Sequence, residues 1–171
     1  MPDQSSFAAL NVIGAAALLI ADEMTHAVEA ETGLAVISAA ALVSIAHAPG
    51  EPIDFIAKSL RRSHSTVVRL IASLVEQGYV EKRSAVDGRA VSLELTRSGR
   101  AVVRKTLLQR QEVLQSMMEP FSTTEVGRLE AASRRLIELH ATDEIRAMWI
   151  CRLCDGEACD PCPMQVLEQA S

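Results

Sequence analysis

The sequence predicts a mainly α-helical chain with a minor β component, and three observations carry that expectation. Apolar residues recur at helical spacing in long stretches on both sides of the centre of the 171 residues. Aromatics are scarce, with one Trp, one Tyr and three Phe, so a 49% hydrophobic chain must build its core from Ala, Leu, Val and Ile, and Ala is the best helix former. Residues 58 to 100 read in order as a short helix, a turn, a second helix and a hairpin with a charged tip. That order is a winged helix-turn-helix, and the flanking helices suit a helical dimerisation domain built from both ends of the chain.

Residues 7 to 31 read as a long helix, apolar first and then acidic through Asp22, Glu23, Glu29 and Glu31, and Gly33 breaks it. Ala35 to Ala48 is apolar almost all round, the mark of a deeply buried helix. Pro49-Gly50-Glu51-Pro52 is a turn. Ile53 to Leu60 follows, with Ile53, Ile56, Ala57 and Leu60 on one face. Arg61 and Arg62 fall in the next turn, and Ser63 or Ser65 is a natural N-cap for a helix running to about Gln77. Val67, Leu70, Ile71, Leu74 and Val75 form its inward stripe, leaving His64, Ser65, Thr66 and Arg69 facing out. Gly78 stops it. Residues 79 to 83 and 91 to 95 read as short strands, the second alternating Val91, Leu93, Leu95 against Ser92 and Glu94. Asp87-Gly88 between them is a hairpin-tip signal. Thr96 caps a helix to about Glu119, Pro120 ends it, and Ser122-Thr123-Thr124-Glu125 has the spacing of a capping box. One amphipathic helix is then expected from about Thr124 to Ile150. The expected divisions are 1–33, an N-terminal dimerisation helix; 34–100, the winged helix-turn-helix; 101–150, C-terminal dimerisation helices; and 151–171, a cysteine-rich tail.

Charge is unevenly spread. The whole chain is acidic, 17 Lys and Arg against 22 Asp and Glu. From Lys58 to Arg110, however, 12 basic residues face 4 acidic ones, a segment of +8 on a remainder of −13. A basic patch on an acidic body is an electrostatic footprint for phosphate. Phe7 to Ala21 is apolar but shorter than the roughly 20 residues a bilayer requires, and only Asp3 is charged before it, unlike a signal peptide. The expectation is therefore no membrane and a cytoplasmic location, where four cysteines are reduced thiols or metal ligands.

The run Ser65-Thr66-Val67-Val68-Arg69-Leu70, then Leu74-Val75-Glu76-Gln77-Gly78-Tyr79-Val80-Glu81-Lys82-Arg83, Asp87-Gly88-Arg89 and Leu95-Thr96-Arg97-Ser98-Gly99-Arg100 resembles the MarR family of transcriptional regulators. The likeness extends over roughly residues 8 to 145 and is specific in the central forty. It implies a two-fold symmetric homodimer, terminal helices interlocked, with both winged helices on one palindrome of double-stranded DNA. It also implies repression, often relieved by a small-molecule effector or by thiol oxidation. The residue chemistry agrees. Arg69 can contact a guanine bidentately, worth roughly 1–3 kcal/mol of discrimination. Arg62, Ser63, His64, Ser65 and Thr66 can reach bases or phosphates, and Lys82 and Arg83 stand near phosphates. Arg89 at the wing tip is long enough for a minor groove, and Asp87 could hold the wing by pairing with an arginine.

Cys151-x-x-Cys154-x4-Cys159-x-x-Cys162 departs from that family pattern. Each CxxC turn can bring two thiolates to one ion, and two such turns complete a tetrahedral four-thiolate site. Zinc is the default, one per chain. An iron–sulfur cluster is the alternative, since Cys162-Pro163 echoes a ferredoxin ending. A metal-free dithiol switch is a second reading, although Asp155, Glu157 and Asp160 should raise the thiol pKa values and blunt reactivity. A disordered tail is the bland reading. Because the tail follows the last long helix through Arg146, Trp149 and Ile150, metal or redox state is expected to act through the dimer interface. His26 and His140 read as packed or solvated residues. An enzyme is not expected: a CxxC thiol oxidoreductase opens its motif on a helix within a βαβ unit, and this chain has almost no strands. A pure protein-interaction module is the remaining class.

Overall fold

A computed structural model describes residues 4–84, 91–156, 158, 159 and 162. The order is α1 (Gln4–Thr32), α2 (Val36–His47), α3 (Ile53–Ser59), α4 (His64–Glu76), β1 (Val80–Ser84), β2 (Val91–Leu95), α5 (Arg97–Met118), α6 (Thr123–His140) and α7 (Glu144–Ile150).

The core forms around α2. Ala39 to Ile45 are all buried, which an all-round apolar helix achieves only when wrapped on every side. α3, α4, β2 and α5 supply that wrapping, through Ile56, Leu60, Val67, Ile71, Leu74, Leu93 and Val103. β1 and β2 pair antiparallel with Val80 opposite Leu95 and Lys82 opposite Leu93. The expected alternation holds: Leu93 is fully buried while Glu94 stays partly open on the other face.

The base of this hairpin is fixed to the start of α5. Thr96 caps α5 by accepting from the Gly99 N–H at 3.0 Å, and its own hydroxyl donates to the Gly78 carbonyl at 2.7 Å. The Thr96 N–H also donates to the Tyr79 carbonyl at 3.1 Å. The helix passes so close to Tyr79 that a Cβ on Gly99 would collide with that carbonyl oxygen. Gly99 is therefore required by proximity.

The single helix expected over 124–150 is two. α6 ends at His140, and Asp143 starts α7 by accepting from the Arg146 N–H at 2.8 Å. An aspartate that caps ends one helix and begins another, which periodicity alone does not reveal. The break turns the chain back, so α7 packs on α3.

Two helices remain largely uncovered within one copy of the chain. α1 lies along α5, tied by Lys105 to Glu31 at 2.8 Å. Yet Phe7, Leu10, Val12, Ile13, Leu18 and Leu19 are each at least 55% exposed. α6 buries no residue, and Leu129, Leu136 and Leu139 lie open on it. α1 is also longer than the apolar run of residues 7 to 21 suggests. Its stretch Phe7–Thr32 has the length and apolar character to cross a membrane, a test that core helices of soluble proteins also pass.

Candidate nucleic-acid interface and cysteine element

The turn between α3 and α4 is a Schellman closure. The Arg62 N–H donates to the Ala57 carbonyl and the Arg61 N–H to the Lys58 carbonyl, both at 3.0 Å. The left-handed position falls on Arg61, with φ of 52°. Glycine fills that position without cost, whereas a side chain there costs roughly 1–2 kcal/mol. Sequence reading placed Arg61 in the turn but gave no sign of this conformation.

α4 then begins at Ser63, which is the N-cap in preference to Ser65. Its hydroxyl accepts from the Thr66 N–H at 3.3 Å and lies 2.8 Å from the Thr66 hydroxyl and 3.2 Å from that of Ser65. Arg62, Ser63, His64, Ser65, Thr66 and Arg69 are all exposed. Because 65, 66 and 69 are spaced at three and four residues, they share one face of the first turns of α4. Val67, Ile71 and Leu74 occupy the opposite, buried face. The helix is held from behind and offers small hydroxyls, open backbone N–H groups and one long cation in front.

The charge count overstates the patch. Lys58 is paired with Asp54 at 2.6 Å, and Lys105 with Glu31. Arg83, exposed on β1, is shared between Glu94 at 3.2 Å and Glu81 at 3.7 Å. Lys82 is exposed one residue earlier. Arg61, Arg62 and Arg69 make no ion pair among the described residues, and neither do Lys82, Arg97, Arg100, Arg104 and Arg110, so the unpaired cations run from the turn and α4 onto β1 and α5. Asp87 and Arg89, expected at the wing tip, lie outside the described residues.

The cysteine element is seated on the body of the protein. Leu153 packs against the hydrophobic core. The His47 ring, at the end of α2, lies beside the Cys154 carbonyl, and a Cβ on Gly156 would lie 3.8 Å from His47 Nε2. Although His47 is largely exposed, the cover this turn gives its ring lowers its pKa more than Asp155 and the Cys154 carbonyl raise it. Trp149 on α7 is faced by two cations: the Arg152 guanidinium 3.9 Å from its ring centre and that of Arg61 at 5.8 Å. The segment thus touches the helix-turn-helix of its own chain, Trp149 facing Arg61 while α7 packs on α3.

The four half-buried thiols lie close enough to influence one another's ionisation. Cys151, with Arg110 and Arg152 nearby, favours the Cys154 thiolate and pushes that thiol down to about 6 despite its partial burial. Cys151 moves the opposite way for the same reason. The adjacent acidic residues were expected to blunt every thiol. Asp155 does oppose ionisation of Cys154, but Cys151 and the two arginines outweigh it. Among the described residues no group of three His, Cys, Asp or Glu side chains is arranged, as it stands, to hold a metal ion.

Comparison with known proteins bears on the reader and leaves the cysteine element aside. Residues 32–90 match the sequence profile described as MarR family. The chain is also 31% identical over 80 residues to the transcriptional repressor MprA of Escherichia coli strain K12, a match covering 46% of this chain and 46% of that protein. The chain thus spans about half the length of the curated relatives it matches. Among solved structures, a MarR family protein from Bacillus stearothermophilus superposes with a TM-score of 0.71 at 17% identity, over 80% of this chain and 96% of that one. The YusO protein from Bacillus subtilis gives 0.66 at 17%, over 79% and 97%. The fold is accordingly that of the solved MarR family structures.

Proposed function

We propose that this protein is a transcriptional repressor that binds a palindromic duplex as a homodimer, placing the start of α4 in the major groove. The observation that carries this reading is the exposed face of α4. Ser65, Thr66 and Arg69 stand on a helix whose other side is locked into the core, and a rigid mount is what base reading requires. Arg69 is the base-reading group, and Arg62, Ser63, His64, Ser65 and Thr66 meet bases or phosphates at the same helix end. Lys82 lies along the phosphate backbone. Arg83 joins it by exchanging Glu81 and Glu94 for phosphate, and Arg89 and Asp87 belong to the wing. The repressing role is borrowed from MprA's description.

The dimer follows from the uncovered faces of α1 and α6. Contiguous apolar surface of this extent is not left open to water, and two copies cover it when α1 and α6 of each meet the other. The apolar length of α1 is thereby occupied by protein instead of lipid, in keeping with a protein that works on cytoplasmic DNA.

Selection from a random duplex library tests the reading. Enrichment of an inverted repeat whose half-sites are separated by about one helical turn or a multiple of it is the expected result. Recovery of no sequence, with duplex binding no tighter than to bulk DNA, overturns it.

A further inference from the structure

We propose that Cys151, Cys154, Cys159 and Cys162 take up one thiophilic divalent ion, zinc by default, and that the bound ion fastens α7 onto the helix-turn-helix of the same chain. Three features carry this beyond the spacing of the cysteines. All four cysteines fall within twelve residues, and the first CxxC is already closed into a turn by the Cys154 N–H on the Cys151 carbonyl at 2.7 Å, so a four-thiolate site is completed by bringing the second pair to it. A divalent ion with four thiolates carries two net negative charges, and Arg110 of α5 and Arg152 stand beside Cys154 to offset them. The element is also held at its rim by Leu153 in the core and by His47 on the Cys154 carbonyl.

The consequence lies at Trp149. It is two residues before Cys151 and stacks under Arg152 and Arg61, and Arg61 is the left-handed residue of the turn that aims α4. A clamped 151–162 segment keeps Trp149 against that turn. The latch leaves 62–66 and 69 exposed, so the latched state holds α4 ready and does not plug it. Metal loading therefore raises duplex affinity, and metal removal frees α7 and lowers it. On binding, each sulfur still protonated gives its proton to solvent as it bonds the ion, so no oxidant or reductant is involved. Only this last, DNA-linked consequence rests on the proposed function.

The test uses the full chain, stripped of metal by chelator under argon with the thiols reduced, and cadmium ion as probe. Thiolate-to-cadmium charge-transfer absorption should rise to saturation at about one ion per chain, and cadmium should displace zinc from protein loaded with zinc beforehand. Emission from Trp149, the only tryptophan, should change in step. Duplex affinity should rise by roughly fivefold or more. Arg61→Ala should keep the cadmium stoichiometry and lose most of the affinity gain. Absence of the band, or an iron–sulfur chromophore in protein purified without oxygen, overturns the single-ion site. Saturable binding with unchanged Trp149 emission overturns the latch. If no duplex is bound with or without metal, the proposed function fails, while the cadmium and tryptophan signals still decide the site and the latch.

Discussion

The helix-turn-helix and the C-terminal segment handle apolar surface in opposite ways. From α2 to the start of α5 the chain covers itself: Leu42, Ile45, Ile56, Leu60, Ile71, Leu74 and Leu93 are sealed within one copy. From α6 onward it does not. α6 buries nothing, and α7 buries only Ala147. The first region is a finished object whose stability is its own, and the second waits for other surfaces. The difference separates a rigid reader from the part of the molecule able to respond.

The contrast can be broken most forcefully at Gly99. Gly99→Ala drives a Cβ into the Tyr79 carbonyl, where backbone faces backbone and little can yield. A loss of about 3 kcal/mol or a failure to fold is expected, read by thermal unfolding. A variant as stable as the parent would mean that the hairpin base is not rigid.

On the other side of the comparison, Leu136→Asp places a charge on an α6 surface that is 61% exposed in one copy. A self-contained chain would tolerate it. The account expects the dimer to dissociate while helical content is kept, measured by light scattering and circular dichroism. Arg69→Ala is the matching change in the reader. Folding should be untouched and duplex affinity should fall by roughly 1–3 kcal/mol, with relaxed preference at one base pair.

The smallest effect is expected at the α6 capping box. Ser122→Ala should lower stability by about 1 kcal/mol. In the parent, the Ser122 hydroxyl and N–H donate to the Glu125 carboxylate at 2.6 and 2.9 Å and hold its carboxyl below the ordinary glutamate range. A depressed carboxyl stabilises fully above its unfolded pKa and loses that contribution as the pH falls through its folded value. Acidification should therefore fray the start of α6 in the parent more than in Ser122→Ala, as followed by amide exchange.

What was legible in the sequence divides along the same line. The N-caps Ser63, Thr96 and Ser122, the strand alternation around Leu93 and the buried α2 all depend on neighbours within a few residues, so local pattern exposes them. The break at Asp143 was hidden because apolar spacing continues across it and one capping residue is a weak signal. The lowered Cys154 thiol did not show in its acidic sequence neighbours, because Cys151 favours its thiolate first and Arg110, from a distant helix, adds to that. The left-handed Arg61 was invisible for a related reason: nothing in the residue asks for that conformation, and the Schellman bonds and the contact with Trp149 impose it. The reader's exposed face could be listed in advance, but the seating of the cysteine element beside it could not.

The most direct measurement is the salt dependence of binding to a selected duplex, followed by fluorescence anisotropy. Phosphate contacts release counterions, so the logarithm of the association constant should fall steeply and linearly with the logarithm of salt concentration. Replacing exposed Lys82 should lower that slope by about one, while Arg69→Ala weakens binding chiefly to the selected sequence. A flat salt response, or equal binding to selected and scrambled duplexes, would contradict the claim that the face of α4 reads DNA.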